Sequence, residues 1–156
     1  MHKPLIRYAA SVTRDENTAY DVVQESFIKL WEHRKRLDPN RSLKAYLYSI
    51  VRNTAFNQLV KRTNVFAEMS TSEPNEADDD PTPDNALMTG ELRNCIHKWI
   101  GELPPRRQEA FRLSRFEGLT HEEIAQMMDL EPRTVTHHIM LALKHLKDRL
   151  ATYQAA

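Results

Sequence analysis

The chain has 156 residues, 40% of them hydrophobic and 28% charged, which is typical of a folded globular protein and excludes a wholly disordered chain. Its longest apolar run has five residues, whereas a membrane span needs about 20, and its three glycines are too far apart for a phosphate-binding loop. No signal segment opens the chain and its one cysteine, Cys95, cannot form an internal disulfide, so we expect a cytoplasmic protein with no membrane insertion.

The charged residues balance overall but are unevenly distributed. Residues 1–62 carry 12 basic and 6 acidic side chains, residues 63–90 carry 7 acidic and no basic ones, and residues 91–156 carry 10 basic and 9 acidic ones. No segment shows the strict alternation of a strand, and the apolar residues recur at helical spacing. We therefore predict an all-α chain of two small helical domains, 1–62 and 85–156, joined by a flexible acidic linker over 63–84.

Three helices are predicted in the first domain, over 4–13, 18–36 and 42–62, with Ser42 as the cap of the third. In the second helix an apolar stripe predicts the buried face: Tyr20, Val23, Phe27, Leu30 and Trp31. The opposite face carries an exposed isoleucine among polar and acidic side chains: Asp21, Gln24, Glu25, Ile28 and Glu32. Solvation explains the charges but not the isoleucine, so we interpret this face as a candidate protein-binding surface.

The third predicted helix has a core stripe of Leu43, Leu47, Ile50, Val51 and Thr54. Another side of this helix combines one aromatic ring, two amides and several cations: Arg41, Lys44, Tyr46, Arg52, Asn53 and Asn57. Rings that stack on bases, amides that reach base edges and cations that pair with phosphates are typical of single-stranded nucleic-acid sites. Each residue also has a structural explanation, with Tyr46 in the core and the cations on a solvated face.

Four helices are predicted in the second domain. The inner side of the first carries Leu92, Ile96, Trp99 and Ile100, and Gly118 ends the second. Thr120 and Glu123 form a predicted capping box at the start of a short helix over 122–128. Pro132 then opens the last helix after a three-residue turn. A short helix, a turn and a long helix are the layout of a helix-turn-helix.

The last predicted helix turns Val135, Ile139, Ala142, Leu146 and Leu150 inward. In a helix-turn-helix this second helix lies in the major groove of DNA. The residues that we assign to DNA contact start at the beginning of the helix and follow its outer face and flanks: Arg133, Thr134, Thr136, His137, His138, Met140 and Lys144. The alternative is a plain helical hairpin whose outer face is solvated.

The sequence offers little support for catalysis or metal binding. His121 and Glu122 begin a pattern similar to a zinc-protease motif, but the second histidine of that motif is missing. His137 and His138 are neighbours on a helix, so their side chains point about 100° apart and cannot share one metal ion. We expect no enzyme activity of the chain itself, no metal and no cofactor.

Three segments resemble bacterial extracytoplasmic-function sigma factors of the sigma-70 family. Asp21–Trp31 resembles their core-binding helix, and Leu43–Arg62 is similar to their promoter-melting helix, with Tyr46 where tryptophan is frequent. Leu103–Pro105 together with Glu117–Ala125 and Arg133–Val135 resembles their C-terminal domain, with Asp129 where glycine is common. The three segments occur in the family's order, on both sides of an acidic stretch that has no counterpart among these motifs.

The resemblance implies a sigma subunit that directs core RNA polymerase to promoters. Its first domain would bind the polymerase clamp and the unpaired minus-ten element, and its second would read the minus-thirty-five duplex and dock on the flap. The resemblance also implies an anti-sigma partner. Two alternatives remain open at this point: a helix-turn-helix regulator that is not a polymerase subunit, and a helical adaptor that binds only protein.

Overall fold

The computed structural model describes residues 2–66 and 90–155, with side chains omitted for 62–66. Within these ranges the chain forms seven α-helices and no strand, which confirms the predicted all-α fold. It divides into two compact units between Asp78 and Asp79, and each is described by itself. Most of the predicted linker lies outside the described residues. Its first four residues belong to a helix, so the predicted helix end at Arg62 was wrong because no glycine or proline stops the helix there.

The first unit consists of α1 (His2–Thr13), α2 (Glu16–Glu32), a 3₁₀ turn (Arg34–Arg36) and α3 (Leu43–Phe66). α2 begins earlier than predicted because the Asp15 side chain caps it, accepting bonds from the Asn17 amide and the Thr18 hydroxyl at 3.3 and 2.6 Å. Ser42 caps α3 as predicted, since its hydroxyl oxygen accepts a hydrogen bond from the Ala45 amide at 3.1 Å.

Small side chains fill the contacts between the three long helices of the first unit. The face of α2 that packs inward is Thr18, Ala19, Val22, Val23 and Ser26, all buried. The predicted inner stripe was therefore wrong for Tyr20, Phe27 and Trp31, which are exposed. Helical spacing alone is compatible with either face. Contacts with both α1 and α3 select the face whose small side chains let the helix axes approach closely.

The inward face of α3 agrees in part with the predicted stripe. Leu47, Val51 and Thr54 are buried, whereas Leu43 is exposed because it is the first residue of the helix and lies beyond the contact with its neighbours. Tyr48 takes the central place that the prediction missed, and its ring centroid lies 5.1 Å from that of Tyr8 on α1. The core of this unit thus contains two tyrosines, packed among leucines, valines and alanines.

The second unit contains α4 (Gly90–Gly101), α5 (Pro105–Arg115), α6 (His121–Met128) and α7 (Pro132–Ala155). Its core is formed by Ile100, Leu103, Phe111 and Ala142, with Ile96, Phe116 and Leu146 packed against it. Gly118 adopts a φ of +67° after α5, which lets the chain reverse toward α6. Val135, Ile139 and Ala142 of α7 are buried as predicted. Among the described helices, none combines the length and the apolar character that a membrane crossing requires.

Candidate protein and nucleic-acid interfaces

The exposed side of α2 carries large apolar and aromatic side chains. We call Tyr20, Gln24, Phe27, Ile28 and Trp31 the α2 outer face; with His2 of α1 they line one shallow groove. Tyr20 is 50%, Ile28 53% and Trp31 66% exposed, although a side chain of this size is usually buried. His2 stacks on Phe27 with centroids 6.2 Å apart, and the Arg34 guanidinium lies 4.0 Å from the centroid of a Trp31 ring.

The residues predicted for protein binding only partly coincide with this face. Gln24 and Ile28 lie in the groove, and Asp21 and Glu32 are exposed at its side. Glu25 instead turns toward α3: its carboxylate lies 3.4 Å from the Lys29 ammonium, which also donates a hydrogen bond to the Thr54 hydroxyl at 3.1 Å. The aromatic half of the face was missed because large apolar side chains were assigned to the core.

The chemistry of the α2 outer face is that of a protein interface. Tyrosine, tryptophan and phenylalanine bury much area at little conformational cost and are enriched at the centres of protein–protein contacts. Polar and acidic side chains such as Asp21 and Glu32 border the face, as in the rims of such contacts. The arrangement therefore suits a partner that presents apolar residues bordered by basic ones.

Of the predicted nucleic-acid residues, Tyr46, Asn53 and Asn57 lie together on one side of α3, away from its core stripe. Tyr46 is half-buried, whereas Asn53 and Asn57 are exposed. Asn53 lies about two turns after Tyr46, and Asn57 lies about one turn after Asn53, so the three side chains share a face. Asn57 also borders the groove between α2 and α3 that contains Lys29. Arg41 is exposed and Lys44 and Arg52 are half-buried, with the Arg52 guanidinium 5.0 Å from the ring centroid of Phe56. Phe56, itself exposed, adds an aromatic ring that the sequence analysis did not single out.

The geometry of a helix-turn-helix is present in α6 and α7. The predicted capping box forms: the Thr120 hydroxyl accepts from the Glu123 amide, and the Glu123 carboxylate accepts from the Thr120 amide, both at 3.1 Å. Asp129 ends α6 in the left-handed region with φ 56° and ψ 50°. Arg106 of α5 also secures this end, because its guanidinium donates to the Met128 carbonyl at 2.8 Å.

The first half of α7 presents a mixed polar and apolar surface. Arg133, His137, Met140 and Lys144 are exposed, and Met140 is 63% accessible. Thr134, Thr136 and His138 are half-buried. In the chain alone, Arg133 is paired with Glu131, its Nε lying 2.7 Å from the carboxylate. The surface offers the donors, cations and methyl group that base edges and phosphates of duplex DNA accept.

His138 has an environment unlike that of its neighbour His137. Burial of the ring lowers the pKa of His138 below its ordinary value, and the charges of Arg107, His137 and Arg106 lower it further. Its Nδ1 atom is buried without a hydrogen-bond partner. Across the described part of the chain, no group of three or more histidine, cysteine, aspartate or glutamate side chains could hold a metal ion.

Comparisons with known proteins agree with this geometry. The family model "Sigma-70 region 2" matches residues 1–65, and the model "Sigma-70, region 4" matches residues 93–146. The RNA polymerase sigma-H factor of Pseudomonas aeruginosa is 34% identical over 82% of this chain and 70% of its own length. The ECF RNA polymerase sigma-E factor of Haemophilus influenzae is 30% identical over 92% of this chain and 82% of its own.

A solved structure has the same fold. It is the sigma factor RpoE of Bartonella quintana in complex with the anti-sigma factor NepR, with a TM-score of 0.68 and 22% identity. The alignment covers 94% of this chain and 89% of that one, so the likeness extends over both units.

Proposed function

The chain belongs to the extracytoplasmic-function sigma factors of the sigma-70 family, and we propose that its two units divide promoter recognition between them. As a sigma factor, it binds core RNA polymerase and directs transcription initiation at specific promoters. Its proposed place of action is the cytoplasm, and it has no enzyme activity of its own, since RNA synthesis belongs to the polymerase.

The α2 outer face is proposed as the core-binding surface, and it carries the functional conclusion. Its aromatic residues are exposed while α2 has a complete packing face on its other side, so folding of the unit does not explain them. A protein partner that buries the face does explain them. Of the predicted set, Gln24 and Ile28 are proposed at the centre of this contact, Asp21 and Glu32 at its edge, and Glu25 as a support of α3.

The outer side of α3 is proposed to bind the unpaired minus-ten element. Tyr46 is proposed to stack on a base, Asn53 and Asn57 to reach base edges, and Arg41, Lys44 and Arg52 to pair with phosphates. Tyr46 and Asn53 are seven residues apart in α3, which places the ring and the nearer amide on one face of the helix, where a single strand can follow both.

The outer side of α7 is proposed to read the minus-thirty-five duplex. Residues at the start of the helix are proposed to meet base edges, whereas Lys144, about two turns later, is proposed to neutralise a phosphate. The assigned set is Arg133, Thr134, Thr136, His137, His138, Met140 and Lys144. Docking of this unit on the polymerase flap is proposed from the family.

An anti-sigma factor is a further proposed partner. The Bartonella quintana relative was solved in complex with one. In this chain the α2 outer face is exposed to water whenever polymerase is absent. An inhibitor that binds this face would shield its apolar side chains and would also block core binding.

Reconstituted transcription tests the proposal. The full chain is mixed with purified core polymerase, separated by gel filtration, and assayed for run-off transcripts from a genomic fragment library. We expect co-elution and a small set of start sites that core polymerase alone does not use. Core polymerase that gives identical transcripts with and without the chain would contradict the proposal.

A further inference from the structure

Four basic groups meet where α5 packs against α7. Arg106 and Arg107 lie in the first turn of α5, and His137 and His138 lie in the second turn of α7. Arg106 and His137 are exposed, whereas Arg107 and His138 are half-buried, so a ligand from solvent can reach the cluster. We call these four residues the α5–α7 basic cluster.

The cluster is electrostatically unfavourable in the chain alone. The charges that act on His138 are those of Arg107 and Arg106 from α5 and of His137 on α7, all of the same sign. Among the described residues, the groups whose charges shift the pKa of His138 include no carboxylate and no group of α4 or α6. Like charges brought together at a partly buried place cost free energy unless a counter-ion joins them.

Hydrogen bonding in the cluster is also incomplete. Two buried side-chain nitrogens in the described part of the chain have no hydrogen-bond partner, Nε of Arg107 and Nδ1 of His138, and both belong to this cluster. Such unsatisfied groups are rare in folded proteins, and each calls for an explanation, of which a bound ion is one. Arg106 is held in place by its bond to the Met128 carbonyl, at the end of α6 next to the helix-turn-helix turn.

We propose that the α5–α7 basic cluster is a phosphate site that contacts the backbone of duplex DNA, and that His138 takes up a proton from solvent when the phosphate binds. The inference rests on the proposed binding of duplex DNA by the second unit. A phosphodiester supplies the missing negative charge and several acceptor oxygens. The cluster also lies beside the outer face of α7, through His137, so one duplex can occupy both.

The proton follows from the charge balance at His138. In the chain alone burial and the surrounding cations lower the pKa of His138, so the ring is neutral near pH 7. A bound phosphate reverses part of this effect and raises that pKa. Affinity for DNA therefore increases as pH falls through the interval between the free and the bound values, by at most about tenfold per pH unit for one proton.

Nuclear magnetic resonance on the full chain tests the proton uptake. The titration midpoint of the His138 ring is followed in the chain alone, with a mixed-sequence DNA duplex, and with inorganic phosphate at the same phosphate concentration. In the chain alone we expect a midpoint below the ordinary value for a histidine side chain, and a clear rise with duplex only. A midpoint that duplex leaves unchanged, or that inorganic phosphate raises equally, would overturn the proposal.

Paired variants test the phosphate contact by fluorescence anisotropy over a range of salt concentrations. Arg107→Gln should reduce the slope of log affinity against log salt by about one, whereas Arg115→Gln, on the exposed far end of α5, should not. His138→Gln should abolish the rise in affinity between pH 7.5 and 6, and His33→Gln should retain it. Equal behaviour within either pair would contradict the proposal. Promoter-specific transcription by the same variants reports separately on the proposed function.

Discussion

His121 Nδ1 lies 2.7 Å from the hydroxyl oxygen of Thr136, which joins the first residue of α6 to the second turn of α7. The same hydroxyl oxygen lies 3.1 Å from the Pro132 carbonyl, one turn earlier in α7. A hydroxyl has a single proton, so when it donates to the carbonyl it accepts from the imidazole. This contact crosses the turn of the helix-turn-helix and ties its two helices to each other.

Removal of that contact should loosen the helix-turn-helix. Thr136→Val keeps the shape of the side chain but deletes the hydroxyl, and we expect it to lower the free energy of unfolding by about 0.5–1.5 kcal/mol. Urea denaturation followed by circular dichroism gives the value. Thr134→Val, two residues earlier in α7 and also half-buried, is the matched control. A loss of the same size in both variants would mean that the hydroxyl bond adds nothing specific.

The α2 outer face can be tested without disturbing the fold. Ile28→Lys should abolish co-elution with core polymerase and leave the melting temperature nearly unchanged, because Ile28 is 53% exposed. Val60→Lys alters an equally exposed aliphatic residue on α3 and should co-elute normally. If Ile28→Lys co-elutes normally, the proposal that the α2 outer face binds core polymerase is wrong.

A substitution on the packing face of α2 should lower the stability of the fold, unlike the exposed substitution at Ile28. Ser26 is fully buried, and its hydroxyl donates to the Val22 carbonyl at 2.7 Å. Ser26→Leu inserts a large side chain between closely packed helices and should cost about 1–3 kcal/mol of stability. Gln24→Leu adds a similar side chain on the exposed side of α2 and should cost little. Thermal melts of the two variants decide whether the inner and outer faces are assigned correctly.

The outer side of α3 should matter when promoter DNA opens. Tyr46→Ala removes a stacking ring worth about 1–3 kcal/mol per base, and Asn53→Ala removes a short amide. Both should slow open-complex formation on duplex promoter, measured by stopped-flow fluorescence. A template with a pre-melted bubble should restore part of the rate. Equal defects on both templates would indicate a structural role instead.

Acid should weaken the second unit through Glu102. Burial alone would raise the pKa of Glu102, but hydrogen bonds from His145 and Arg149 and the charges of these groups lower it below its ordinary value of 4.5. A carboxyl whose pKa is lowered by folding stabilises the fold above about pH 4.5, and this stabilisation is lost as pH falls further. The loss of melting temperature between pH 5 and 3 should be smaller in Glu102→Gln. Asp148→Asn, at an exposed position of α7, should match the unmodified chain.

Local signals in the sequence predicted local structure well. The capping box of Thr120 and Glu123 forms because all its atoms lie within one turn, and Asp129 can adopt left-handed backbone without help from distant residues. Such features depend on few neighbours. Their positions therefore follow from residue type and spacing alone.

Features that depend on which helices meet were harder to predict. The two faces of α2 both fit a helical period, and only the contacts with α1 and α3 show that Ala19 and Ser26 face inward while Trp31 faces out. Likewise, nothing near His138 in the sequence indicates Arg107, which approaches it only because α5 packs on α7. Candidate residues were therefore found more readily than the surfaces they form.

Because α2 exposes aromatic side chains, the lifetime of the chain in the cell should depend on whether a binding partner covers them. Tyr20, Phe27 and Trp31 in water are a signal that chaperones, proteases and other copies of the chain can recognise. A bound polymerase or inhibitor conceals that signal. Cellular abundance of the chain should therefore follow the supply of its partners, and surplus copies should be the first to be degraded.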